Sequence, residues 1–333
     1  MLLIFAFIIG AHIGSFLNVC IWRLPRGESV VEPPSHCPKC DTRLKALDLV
    51  PLLSQICLRA RCRYCGARIA WRYAGIELLT GVLFTLVALN QWTPDLDYSN
   101  PTLWVHLVQG WLMVSTLVVI FWIDYDTRLI QLEAVLLLGF TGLAADAWGL
   151  WRHEKTLADG ISLTGTHYLP APLPQSVVAM VFTASALWLI REVFSRIYQR
   201  EAMGFGDVIL VAAIAANLGW NATIVTFFFL SIMVGAAVGV TLQFPRAIRA
   251  YGWARRRSES GWTRKLAWPL ARHAFRKAMP FGPMLALGAV VAMLYGQRVN
   301  DAYMKMVNPQ YSFTSSGRGD GVYLVPDATG ARP

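Results

Sequence analysis

Apolar residues in this chain are gathered into long runs rather than spread along it. Eight stretches, roughly 1–22, 73–90, 104–123, 132–150, 174–191, 207–220, 221–243 and 281–296, meet or approach the length needed to cross a bilayer. A hydrocarbon core of about 30 Å asks for about 20 mostly apolar residues per helix. Composition agrees: 55% of the 333 residues are hydrophobic, only 15% are charged, and the mean hydropathy is +0.44, too apolar for a soluble domain of this length. The first run lacks a basic leader and ends in GSFLNVCIWRLPR instead of a small-residue cleavage site, so it reads as a retained helix. The sixth and seventh runs are joined almost directly through Gly219 and Asn221, which predicts a tight helical hairpin.

Basic residues set the expected orientation, because Lys and Arg stay on the cytoplasmic side. With the N-terminus outside, segments 23–72, 124–131, 191–206 and 244–280 are cytoplasmic and hold 10, 1, 3 and 10 Lys plus Arg, 24 of the 30 in the chain. The net charge of +10 is therefore a membrane signal: it flanks apolar helices and forms no soluble basic face with stacking aromatics, which argues against nucleic-acid binding. The predicted organisation is a first transmembrane helix (1–22), a cytosolic cysteine module (23–72), a transmembrane core (73–243), a basic cytosolic loop (244–280), a last transmembrane helix (281–296) and an extracytoplasmic tail (297–333) with little fixed structure. No internal repeat of short fixed period is expected. The 244–280 segment interleaves arginines with Trp253, Trp262, Trp268 and Phe275 and reads either as a helix lying in the interface or as an ordinary positive-inside loop. Gly252, Gly261 and Pro269, as breakers of any long helix, favour the loop.

Within 23–72, Cys37-Pro-Lys-Cys40 and Cys62-Arg-Tyr-Cys65 are two C-x-x-C knuckles at a spacing close to that of four-thiolate zinc sites. Disulfides are the competing reading, but a cytosolic loop keeps its thiols reduced. A loop of about 50 residues buries too little to fold well alone, and a structural Zn2+ would supply the missing stability. Cys20 and Cys57 fall outside the pattern and are expected to be packing residues. The fold class that follows is an all-α polytopic membrane protein of about eight transmembrane helices with a small cytosolic zinc-binding loop domain.

Carboxylates at the edge of an apolar run are costly and mark sites. Asp124 follows VSTLVVIFWI directly and opens IDYDTRLI; Asp207 ends Gly204-Phe205-Gly206-Asp207 and begins the next helix. By topology both lie at the cytoplasmic face, where two carboxylates can share a proton, one activating water and the other protonating a substrate carbonyl. Gly204 and Gly206 are expected to permit positive φ and close approach of an extended substrate backbone. Asp126 rivals Asp124, and a plain helix cap is the alternative for Asp207. Glu77, one turn into the second apolar run, needs a partner and is expected to position either substrate or loop. Asn18 is expected to pack helices or line a substrate groove.

These residues together resemble the bacterial type IV prepilin peptidases, GxGD-type aspartyl proteases. The resemblance rests on GSFLNVCIWRLPR, the paired knuckles, PLLSQICLRARCRYC, WRYAGIELLTG, IDYDTRLI, MGFGDV and PFGP at 280–283, and covers about 10–296. It implies an inner-membrane enzyme that cleaves the basic leader of prepilins and type II secretion pseudopilins at the cytoplasmic face, with Asp124 and Asp207 catalytic. The register of the family motif selects Asp124 through Arg128 and Ile130. It also implies N-methylation of the new N-terminus from S-adenosyl-L-methionine, with peptidase activity alone as the alternative. Two departures stand out. Gln131-Leu132-Glu133 replaces the usual Pro-Asp, and Ala60 stands where the family commonly has a glycine linked to methyl transfer. From other classes, an ion-coupled transporter using Asp124, Asp207 and Glu77, or a non-catalytic assembly factor, remains open.

Overall fold

The computed structural model describes residues 1–91, 98–152, 174–199, 201, 203–221, 223–258 and 281–307. Among them lie eight long helices and one short one: α1 (Leu2–Arg23), the short α2 (Leu53–Cys57), α3 (Arg72–Asn90), α4 (Pro101–Thr127), α5 (Leu132–Trp151), α6 (Gln175–Tyr198), α7 (Phe205–Leu218), α8 (Thr223–Ser258) and α9 (Gly282–Val307). α1, α3, α4, α5 and α6 are long and apolar enough to cross a membrane, whereas α7 and the apolar part of α8, Thr223–Val238, are shorter.

α4 is the central column. It packs on α1 and α3 to one side and on α5 and α9 to the other. Ile76, Phe84, Leu107, Val114, Val118 and Ile123 fill the first interface; Met113, Leu117, Ile120, Leu138, Leu210, Ile214, Phe227 and Leu285 fill the second. In lipid, apolar side chains gain little by leaving their surroundings, so close backbone approach decides which helices associate. α1 and α3 meet that way: a Cβ at Gly10 would stand 2.8 Å from Phe84, and one at Gly14 would stand 2.8 Å from Glu77 Cα. α9 lies as close to α8, where Gly288 and Gly296 face Ser231 and Thr223.

Two polar groups inside this bundle tie helices together. Asn217 of α7 donates to Leu138 and Ala213 carbonyls at 2.6 and 3.0 Å and accepts from Thr141 of α5 at 3.0 Å and Gln109 of α4 at 3.4 Å. Asp146 of α5 accepts from the Ser176 N–H and hydroxyl at 3.0 and 2.8 Å, so it caps the start of α6 from a neighbouring helix.

Three expectations change. The turn through Gly219 and Asn221 is tight, with Asn221 bonding Leu218 and Thr223, but α7 then packs against α5 and α6 while α8 packs against α9. No packed hairpin results, because the positive φ of Gly219 (70°) swings α8 away to its glycine-lined partner. α8 continues as helix through Pro245 and Gly252 to Ser258, so the first part of 244–280 is a helical extension; residues 259–280 lie outside the described residues. α9 likewise runs on to Val307, past the boundary expected at 296, and 308–333 lie outside the described residues.

Candidate active site and cysteine module

Asp124 sits in the last turn of α4 and is buried, 4% exposed. The helix stops there because Arg128 adopts the left-handed conformation (φ 59°) and returns its N–H to the Asp124 carbonyl at 2.9 Å. That leaves the Asp124 side chain facing the start of α9, where the Gly282 N–H points at the carboxylate. Its Oδ2 is buried without a hydrogen-bond partner. An exposed helix N-terminus carries partial positive charge, which suits a carboxylate.

Asp207 is the third residue of α7, half-buried, and reaches back toward the N–H of the capping residue Gly204. Asp124 and Asp207 are close enough to interact electrostatically. Asp207 thus serves the end of its own helix and lies within electrostatic reach of Asp124. The glycines act differently from the expectation. Gly204 has φ −65° and Gly206 is helical, so neither uses positive φ. Clearance matters at Gly206, where a Cβ would press on Ile130 at 3.3 Å, whereas one at Gly204 would make only ordinary contact with Asp207 Oδ2 at 3.5 Å.

Asp126 points elsewhere. It forms a two-pronged ion pair with Arg72 at 3.0 and 2.6 Å, and the Arg72 guanidinium stacks on Trp122 at 4.3 Å. Glu77 is buried, 5% exposed, and its Oε2 accepts the Leu52 N–H at 2.8 Å, with the Ser15 hydroxyl also on the carboxylate. The loop is thus its partner. Asn18 is a packing residue, donating to the Gly14 and Tyr73 carbonyls at 3.2 Å each.

The four cysteine sulfurs of the knuckles lie within 4.8 Å of one another, and Cys37 and Cys65 are 3.9 Å apart. Tetrahedral zinc with Zn–S of about 2.3 Å wants sulfurs about 3.8 Å apart, so the set fits a divalent soft cation. The two halves are copies. In each, the first cysteine N–H bonds a carbonyl five residues on (Thr42, Ala67), and the residue after the second cysteine (Asp41, Gly66) adopts positive φ. An isolated bridge flanks each one, His36 to Arg43 and Arg61 to Arg68. The chain does contain an internal repeat here, 25 residues apart and hidden because only Cys, Arg and an aliphatic residue coincide. Bonds from Thr42 bring the Cys40 thiol down to about 6, and main-chain N–H groups of Cys65 and Tyr64 lower Cys62. The Ala67 N–H pulls Cys65 down too, but desolvation and the neighbouring sulfurs outweigh it and push that thiol up to about 11. Four thiolates cannot coexist so close without a cation.

Cys20 is buried in the α1 core as expected, but Cys57 is exposed on α2. Gly282 is the residue whose part the sequence did not announce; PFGP flagged the segment without saying that it faces Asp124.

Residues 8–91 match the family described as Bacterial Peptidase A24 N-terminal domain, and residues 111–240 match the Type IV leader peptidase family. The chain belongs to the type IV leader peptidase family. Relatives named prepilin leader peptidase/N-methyltransferase include one from Dickeya chrysanthemi, 36% identical over 65% of this chain and 74% of its own length. Another, from Aeromonas hydrophila, is 30% identical over 90% of this chain and 92% of its own. A third, from Myxococcus xanthus, is 35% identical over 72% of this chain and 62% of its own. No solved structure matches the chain. Within this leader peptidase, the first family segment holds the cysteine module and Glu77, and the second holds Asp124 and Asp207.

Proposed function

We propose that this chain is an aspartyl endopeptidase of the bacterial inner membrane. It removes the leader of type IV prepilins and type II secretion pseudopilins at the cytoplasmic face, with Asp124 and Asp207 as the catalytic pair. The observation that carries the reading is a buried carboxylate at the end of α4 within electrostatic reach of a half-buried one at the start of α7. Two such groups hold one proton between them; one activates water and the other donates to the scissile carbonyl, and the pair titrates as a unit. Gly282, at the head of α9, orients Asp124 from its unreacting side.

Asp126 is held by Arg72, which favours Asp124 as the partner of Asp207. Glu77 is held by the loop, which removes one carboxylate from any proton path and weakens the transporter reading. The names of the relatives support N-methylation of the product from S-adenosyl-L-methionine, with Zn2+ at Cys37, Cys40, Cys62 and Cys65 shaping the module. Asp48 is engaged by Arg63 and Tyr64, leaving Glu28, Glu32 and Asp41 as the exposed acidic residues available to a basic leader.

The test is cleavage of a prepilin in membranes carrying the wild type, Asp124→Asn, Asp126→Asn or Asp207→Asn, with and without S-adenosyl-L-methionine, followed by mass spectrometry of the product. Loss in Asp124→Asn and Asp207→Asn alone supports the pair, and a methyl mass increment supports the transferase. Full cleavage in either variant refutes the assignment.

A further inference from the structure

We propose that the cysteine module is docked on the membrane through residues 45–59, with lipid of the adjacent leaflet as the occupant of its apolar face.

The first observation is exposure with no partner among the described residues. Leu47, Leu49, Leu53 and Ile56 are 73%, 41%, 62% and 59% exposed, on a segment that in water would turn these side chains inward. Leu53, Ile56 and Cys57 are the exposed residues of α2, spaced to fall on one side of it, and Pro51, two residues before the helix, is buried. The second observation is depth. The Leu52 N–H is bonded to Glu77, which lies five residues into α3, about 8 Å along the helix axis from Arg72. Helical side chains lean toward the N-terminus, so the carboxylate sits about one turn below the end of the span, at the boundary of headgroups and acyl chains. The main chain at Leu52 is therefore fixed at that level.

The third observation is what surrounds it. Trp22, Trp71 and Tyr73 are exposed at the ends of α1 and α3 nearest the module, the position of an aromatic belt. Lys45 and Arg59 bracket the apolar stretch, and residues 39–72 carry eight basic residues against Asp41 and Asp48. An apolar surface with cations at its rim suits an anionic leaflet. A polypeptide segment is the other class of occupant, but the bond from Leu52 to Glu77 holds this face at the level where α3 presents Leu78 and Leu79 as exposed apolar side chains.

The experiment places p-benzoylphenylalanine at Leu53 or Ile56 in the full chain, reconstituted in vesicles of phosphatidylethanolamine and phosphatidylglycerol carrying a labelled lipid. Leu78 on α3 serves as the lipid-facing reference and Lys39, exposed at a knuckle, as the solvent reference; metal content of each variant reports that the module is folded. Lipid adducts at 53 and 56 should approach the yield at 78 and exceed that at 39 by about tenfold or more, the equilibrium equivalent of burying one leucine side chain. Yields at 53 and 56 no higher than at 39, in metal-loaded protein that labels lipid from 78, would overturn the proposal. Adducts to polypeptide in place of lipid would overturn it as well and assign the face to a protein partner. Neither result bears on prepilin cleavage, which is read separately.

Discussion

Replacing Gly282 by alanine tests the geometry around Asp124 with a single carbon. A Cβ built there stands 2.6 Å from Asp124 Oδ2, 3.2 Å from its Cγ and 3.4 Å from its Cβ. Real Cβ atoms keep at least 3.0 Å, so the carboxylate or the head of α9 has to retreat by about 0.4 Å or more. Asp124 is buried at a helix end locked by Arg128, and Gly282 begins a 26-residue helix, so neither side yields freely. A misplacement of about 1 Å near reacting atoms costs on the order of a hundredfold in rate, so a retreat of about 0.4 Å scales to a loss of about sixfold and a larger one to as much as a hundredfold. The assay is prepilin cleavage at saturating substrate, with Gly75→Ala as the control, since a Cβ at Gly75 meets nothing within 4 Å. Wild-type kcat in Gly282→Ala, at matched abundance, would refute the reasoning.

Other outcomes follow from neighbouring contacts. Asp126→Asn removes an ion pair whose two side chains are each 36% exposed, so solvent screening limits the cost to about 1 kcal/mol or less, and cleavage should persist where Asp124→Asn loses about a hundredfold or more. Glu77→Ala leaves the Leu52 N–H without its acceptor, at about 1–3 kcal/mol, and amide exchange over residues 49–58 should accelerate, whereas Glu77→Gln retains an acceptor and should change it little. Ala60→Gly should stabilise the module by about 1 kcal/mol in thermal unfolding, because Ala60 is held at φ 51°, a region costly to any residue with a Cβ. Metal affinity should fall as pH is lowered from neutrality, since the Cys65 thiol (about 11) already has to lose a proton on binding, and fall more steeply below about 6 once Cys40 also competes for one. Titration with a chelating dye across that range measures both slopes.

The helical class, the cysteine cluster and the position of Asp124 and Asp207 at helix ends were legible in the sequence because each has a local signature: run length, C-x-x-C spacing, a carboxylate at the edge of an apolar run. Packing partners were not. The hairpin expected at Gly219 reflects adjacency in sequence, whereas α8 chose α9 through glycines near 288 and 296, more than 50 residues away. The ends of α8 and α9 were misplaced because hydropathy reports where lipid stops, and a helix need not stop with it. The roles of Gly206 and Gly282 depend on what stands opposite them, Ile130 and Asp124, which no spacing rule reveals. Ala60 is the reverse case: its departure from the family residue was visible in the sequence, but its positive φ, the reason a glycine suits the position, was not.

The Arg72–Asp126 pair has a mechanical consequence. Arg72 is where the cysteine module hands the chain to α3, and Asp126 lies two residues beyond Asp124 on α4. Through this clasp, and through Glu77 holding Leu52, the module is bolted at two points to the frame that carries the carboxylates. The screened ion pair restrains it weakly and the Leu52–Glu77 bond more firmly. Moving the module relative to the helices therefore costs at least the Leu52–Glu77 bond, so substitutions at Glu77 should loosen it more than substitutions at Asp126.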